Sequence, residues 1–149
     1  VKPVIVIGGG GHAKVLINTL KINNVEILGI ADGALSIGET ILGVKIIGDD
    51  SLVFTYAPKD IELVNGIGSL PGSNKRKNIY FDYKKKGYVF KTVIHPSVVI
   101  ATDVELGEGV QIMAGTVIQP SVKISSNTII NTKVSIDHDC IIPDNAFKS

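Results

Sequence analysis

The 149 residues are 44% hydrophobic and 19% charged, enough apolar material to bury a core as one domain or two small ones. Lys plus Arg number 15 against 14 Asp plus Glu, and so small an imbalance offers no overall field for nucleic acid or an anionic membrane. No apolar stretch approaches the roughly 18 residues of a membrane span, and Gly8 to Gly11 break the N-terminal apolar run, so neither a spanning helix nor a signal peptide is expected and the chain reads as soluble and cytoplasmic.

Val4-Ile5-Val6-Ile7 predicts a strand buried on both faces, ending in four glycines. Ala13, Leu16, Ile17 and Leu20 then fall at helical spacing, predicting a helix from His12 to about Asn23. Val25 to Ala31 predicts a second buried strand closed by Asp32-Gly33, and strand, turn, helix and strand together open a Rossmann-like parallel sheet. Ile41 to Gly48 fits a short strand or an ordered loop, and Asp49-Asp50 marks a place for a short helix to start. Ile61 to Ile67 predicts a third strand, ending at Gly66-Ile67-Gly68-Ser69. From Ser73 to Lys86, basic residues surround Ile79, Tyr80, Phe81 and Tyr83, which predicts an amphipathic helix with Lys75, Arg76, Lys77, Lys84, Lys85 and Lys86 as its solvated face rather than a nucleic-acid surface. Val89 to Ile94 predicts a last strand leading into a different rhythm near His95-Pro96.

From residue 94 an aliphatic residue stands at every sixth position: Ile94, Ile100, Leu106, Ile112, Ile118, Ile124, Ile130, Ile136 and Ile142. Four positions after each comes a small or β-branched residue, from Val98 to Ala146. A six-residue period belongs to neither an α-helix nor an ordinary strand, and it predicts a left-handed parallel β-helix in which three hexads form one triangular turn. Residues 94 to 147 supply three turns, stacked at about 4.8 Å into a prism roughly 14 Å tall. The expected organisation is therefore α/β plus β: a Rossmann-like domain over 1–93 and a three-turn hexapeptide-repeat domain over 94–149. The single cysteine, Cys140, falls on the inward small-residue column and reads as a core side chain.

Gly8 to Ala13 satisfies G-x-G-x-x-A between a strand and a helix, with Asp32 at a suitable distance beyond. Glycines let the backbone approach a pyrophosphate, and N–H groups at the helix start favour anions. A dinucleotide and a nucleotide-sugar both fit this turn, although only half of a dinucleotide fold is visible. His12 is placed either to touch a phosphate or to stand solvated in the first helical turn. Asp32, at the carboxyl end of the second strand, is placed to accept hydrogen bonds from a ribose or base. In the repeat, Ser135 to Cys140 gathers titratable groups, with His138 third in its hexad and pointing outward. An imidazole beside a carboxylate can accept a proton from an amine or hydroxyl at neutral pH. His95 reads as a packing or capping residue, and no metal centre is expected.

The order V-I-V-I-G-G-G-G-H-A, then Asp32, then Ile67-Gly68-Ser69, then S-I-D-H-D-C within hexads resembles the sialic acid O-acetyltransferase family. That family includes the bacillosamine and perosamine N-acetyltransferases of bacterial surface glycan synthesis. The resemblance implies that the N-terminal domain holds a nucleotide-sugar and that the β-helix, as a homotrimer, holds acetyl-CoA between subunits. It implies Gly10, Gly11 and His12 by the sugar-nucleotide phosphates, and Asp32, Gly33 and Gly68 near the nucleoside or sugar. His138 would be the general base of a direct acyl transfer, with Asp139 its carboxylate partner. Gly33 stands where the family commonly has a second acid, and Pro143 and Phe147 stand where it has a glycine and a coenzyme-contacting histidine. Relatives also run on for several more turns, so the resemblance implies a C-terminally truncated chain whose last turn needs a cover. A catalytically inactive nucleotide-sugar-binding or assembly module with the same fold is the other expectation.

Overall fold

A computed structural model describes residues 1–149 and divides them into two compact units, Val1–Lys91 and Thr92–Ser149.

In the first unit, β1 (Val4–Ile7) and β2 (Ile27–Ala31) pair in parallel, connected by α1 (Gly11–Ile22). The segment that fitted a strand or a loop is a hairpin of β3 (Thr40–Ile41) and β4 (Val44–Gly48). Its two turn residues, Leu42 at φ 49° and Gly43 at φ 80°, both take the left-handed conformation that a tight two-residue hairpin requires. Asp49 caps a short 3₁₀ helix over Asp50–Thr55 by accepting the Ser51 N–H at 3.0 Å. After β5 (Glu62–Asn65) and α2 (Lys75–Lys85), the sheet order is β3-β4-β2-β1-β5, parallel except for β3. All four β1 residues are buried. Ile5 and Ile7 share a core with Leu63, Tyr80, Tyr83, Tyr88 and Phe90, while α1 buries Ala13, Leu16, Ile17 and Leu20.

Two expectations are corrected here. Residues 89–94 are not one strand: Leu63 bonds on either side of Phe90, to the Val89 carbonyl and the Lys91 N–H, whereas Val93–Ile94 pair with the β-helix. The basic helix is not solvated along all its charges either, because Arg76 is only 7% exposed.

The second unit is a three-sided parallel β-helix of two-residue strands: β6 (Val93–Ile94), β7 (Val99–Ile100), β8 (Glu105–Leu106), β9 (Gln111–Ile112), β10 (Val117–Ile118), β11 (Lys123–Ile124), β12 (Ile129–Ile130), β13 (Ser135–Ile136), β14 (Ile141–Ile142) and β15 (Phe147–Lys148). They stack in the orders β13-β10-β7, β14-β11-β8 and β15-β12-β9-β6. Registers such as Val99↔Val117↔Ser135 step by one 18-residue turn. The aliphatic column from Ile112 to Ile142 fills the interior, and Val98, Val104, Val134, Cys140 and Ala146 pack against it. Inward threonines on the small column are satisfied by the next corner, with Thr116 Oγ1 donating to the Asn131 carbonyl at 2.9 Å and Thr128 Oγ1 to the Pro143 carbonyl at 3.0 Å.

A third column makes the corners. Asp103, Gly109, Gly115, Ser121, Asn127, Lys133, Asp139 and Asn145 all have φ between 58° and 72° or, at Gly115, 74°. Gly, Asn and Asp dominate this column because they tolerate the left-handed region best. The column keeps the six-residue beat, three places after each aliphatic residue from Ile100 to Ile142, and only Ser121 and Lys133 in it are not Gly, Asn or Asp.

Candidate functional site

The glycines after β1 fall into two physical classes. Gly8 has φ 88° and donates its N–H to the Ala31 carbonyl at 2.8 Å, and a Cβ there would stand 2.6 Å from Ile67 Cδ1. Gly66 is equally constrained, since its Cβ would meet the Ile7 carbonyl oxygen at 2.6 Å and that of Gly8 at 2.9 Å. Gly10 and Gly11 are different: neither has a positive φ, and nothing lies within 4 Å of where a Cβ would be. The fold does not demand glycine at these two positions, so their bareness leaves room for something else to approach the backbone. Gly10 provides no side-chain cap to α1, whose exposed start leaves N–H groups available to an anion.

Asp32 ties the turns after β1 and β2 together. Its Oδ2 accepts the Gly9 N–H at 2.8 Å and its Oδ1 accepts the Ala34 N–H at 2.8 Å. Each oxygen keeps a second lone pair for a ligand hydroxyl or amine. Gly33 follows it, 3.6 Å from the Asp49 Cβ at its own would-be Cβ, and a Cβ on Gly68 would stand 3.3 Å from that of His12. His12 is half-buried at the helix start.

Outside the carboxyl ends of β1, β2 and β5 lies a crevice of about 210 Å³, lined by Gly8, Asp32, Gly33, Asp50, Ile67 and Lys75 among others. It opens where the chain order of the sheet reverses about β1, the usual ligand position in an open parallel sheet. Burial pushes the Asp50 carboxyl up, while Lys75 pulls it back. On the other side of the turn, Gly9, Gly10, Gly11 and Lys14 face the β3–β4 hairpin across a shallower space of about 340 Å³. Sequence reading placed the glycines and Asp32 but missed Asp50 and Lys75, which become neighbours only once the sheet assembles.

In the β-helix, His138 and Asp139 occupy the corner between β13 and β14. Asp139 takes its place in the left-handed column at φ 61°, and its Oδ2 lies 2.7 Å from His138 Nδ1. A carboxylate can only accept, so Nδ1 carries the shared proton and Nε2 keeps its lone pair. The hydrogen bond and charge of Asp139, with a smaller contribution from Asp137, hold the imidazole above the ordinary histidine range. Both side chains are open, at 75% and 73% exposure. Cys140 packs into the prism, and His95 Nδ1 accepts the Ser97 N–H at 3.0 Å as a corner cap. No helix is long and apolar enough to cross a membrane, and no group of three or more His, Cys, Asp or Glu converges as a metal cluster would.

Residues 3–83 match the family described as the PglD N-terminal domain. The structure is similar to that of GDP-perosamine N-acetyltransferase from Caulobacter crescentus, solved as a histidine-to-alanine mutant in complex with CoA and GDP-perosamine, with a TM-score of 0.85 and 34% identity. The match covers 95% of this chain and 65% of that one, so the chain spans somewhat less than two thirds of that enzyme. The acetyltransferase domain of PglB from Neisseria gonorrhoeae in complex with acetyl coenzyme A matches at a TM-score of 0.80 and 25% identity, over 94% of this chain and 66% of that one. WeeI from Acinetobacter baumannii shares the fold at a TM-score of 0.81 and 24% identity, over 99% of this chain and 69% of that one.

Proposed function

Because the chain belongs to the PglD N-terminal-domain family and is related to sugar N-acetyltransferases, we propose that it transfers an acetyl group from acetyl-CoA to the amine of a nucleotide-linked amino sugar. The observation that carries this reading is the His138–Asp139 pair, bonded at 2.7 Å with Nε2 turned to solvent. In the proposed step, His138 Nε2 takes the proton that the sugar amine loses as its nitrogen bonds to the acetyl carbonyl carbon. The thioester C–S bond breaks, and the same proton returns to the departing thiolate. Asp139 holds the ring orientation and stabilises the imidazolium between the two transfers. The open corner admits a thioester without displacing protein. Acetyl-CoA is a co-substrate here, held against the β-helix.

The unit over 1–93 is the proposed nucleotide-sugar domain. Gly10, Gly11 and His12 accommodate the phosphates at the start of α1, Asp32 and Gly33 border the crevice that takes the nucleoside or sugar, and Gly68 follows Ile67 of the crevice wall. The unit over 94–149 is the proposed acyl-transfer domain, acting as a homotrimer.

The test mixes the protein with acetyl-CoA and a panel of UDP-, GDP- and CMP-linked amino sugars and follows free thiol. Thiol release that depends on one sugar nucleotide is expected. Binding of sugar nucleotides without any thiol release would replace the enzyme with a binding module, the reading that Pro143 and Phe147 favour.

A further inference from the structure

Asn65 ends β5 and Arg76 lies one residue into α2, eleven positions later. Arg76 Nη1 donates to the Asn65 carbonyl at 3.0 Å and to the Ile67 carbonyl at 2.7 Å. Asn65 answers with Nδ2 donating to the Arg76 carbonyl at 3.1 Å and Oδ1 accepting the Ile67 N–H at 3.2 Å. Asn65 is 1% exposed and Arg76 7%. Burying a guanidinium is costly even when it is hydrogen-bonded, and packing this helix against the sheet could be done by an apolar side chain instead. What an apolar side chain could not do is hold two alternate carbonyls of one loop on the same side.

That constraint fixes the loop's other face. No peptide bond is cis, so the Ile67 carbonyl and the Gly68 N–H of the same peptide plane point in opposite directions. With the carbonyl drawn to Arg76, the Gly68 N–H is turned away from it, and no acceptor within the protein takes it. The loop meanwhile sets Gly66 against the Ile7 and Gly8 carbonyls, Ile67 in the crevice wall and Gly68 beside His12. The preceding residue, Lys75, lines the same crevice.

We propose that Arg76 is a positioning residue that, with Asn65, holds the Gly66–Ser69 loop so that the Gly68 N–H is presented as a donor to the diphosphate or nucleoside of the bound nucleotide-sugar. The proposal depends on the nucleotide-sugar reading of this unit given above.

GDP, UDP and CMP serve as probes by titration calorimetry, with hydrogen exchange read at the Gly68 amide. In the unaltered protein, saturating probe should slow Gly68 exchange. Arg76→Gln should weaken binding by about tenfold at unchanged stoichiometry, and Arg76→Lys, able to reach one carbonyl at a time, by less. Lys77→Gln, which removes the same charge from an exposed neighbour, should bind as the parent does. A merely structural Arg76 would lower the melting temperature and leave affinity per folded molecule unchanged, and that result overturns the proposal. Unaltered Gly68 exchange in a protein that does bind a probe overturns it too, whether or not the variants fold. If the parent binds none of GDP, UDP and CMP, the nucleotide-sugar reading falls and this proposal with it.

Discussion

The α/β unit and the β-helix assemble their candidate residues in opposite ways. In the first, residues from three separate turns come together inside one chain where parallel strands end: Asp32 and Gly33 line a crevice of about 210 Å³, Gly10 and Gly11 open onto the space on the other side of the same turn, and Gly68 stands beside His12. In the second, two consecutive residues bond to each other on a corner and remain about three-quarters exposed. The edge of a twisted parallel sheet is concave wherever neighbouring connections leave it in opposite directions. The corner of a prism is convex, and no repetition of hexads makes it otherwise. A reaction at such a corner needs a second surface to exclude water and grip a coenzyme, which is the physical ground for proposing self-association around His138.

Separating the two units by mutation is the most direct way to sharpen the contrast. His138→Ala should lower acetyl transfer by about 10²-fold or more, with GDP or UDP affinity unchanged within about twofold. A preserved rate would take His138 out of the chemistry, and lost nucleotide affinity would mean that the two sites are not independent. The next effect in size concerns its partner. His138 must be neutral to act as a base, so kcat/KM should rise with pH through a value above the ordinary histidine pKa of about 6.5, because Asp139 stabilises the charged ring. Asp139→Asn should shift that limb to lower pH and reduce the plateau rate by about tenfold or more, since the stabilised imidazolium and the fixed tautomer are both lost. A limb that stays in place would assign the titration to another group.

Stability should respond most in the α/β unit, at the glycine that closes its site. Gly66→Ala puts a methyl 2.6 Å from the Ile7 carbonyl oxygen, where only backbone can yield, and should cost about 1–3 kcal/mol in denaturant unfolding. An unchanged midpoint would show that the end of β5 is free to move off the turn.

How much of this was legible beforehand follows from what each signal depends on. β1, α1 and the hexads announce themselves because their periods are local properties of the chain. The β3–β4 hairpin was ambiguous because its turn uses Leu42 in the left-handed region, where a glycine or asparagine would have marked it. Nothing in the sequence marks Arg76 as buried, because a guanidinium that will be enclosed looks like any other charge in a basic run. Its partners lie across a loop, and only folding brings the Asn65 and Ile67 carbonyls to it. His138 and Asp139 were legible as a pair because they are adjacent in sequence. The crevice residues Asp50 and Lys75 were not, since neither belongs to a motif and they meet only through the order of the strands.

The smallest expected effect discriminates best between a glycine kept for the fold and one kept for a ligand. Gly11 is the first residue of α1, has ordinary backbone geometry and has open space where a side chain would be. Replacing a helical glycine by alanine restricts the unfolded chain, so Gly11→Ala should stabilise the protein by about 0.4–1 kcal/mol. If a phosphate sits against that backbone, the added methyl must stand in its way, and GDP or UDP affinity should fall even as the melting temperature rises. The two readouts move in opposite directions under one substitution, which no general loosening of the fold can imitate. A variant that is more stable and binds as tightly as its parent would place the phosphates elsewhere on the turn and leave the bareness of Gly11 without a ligand to explain it.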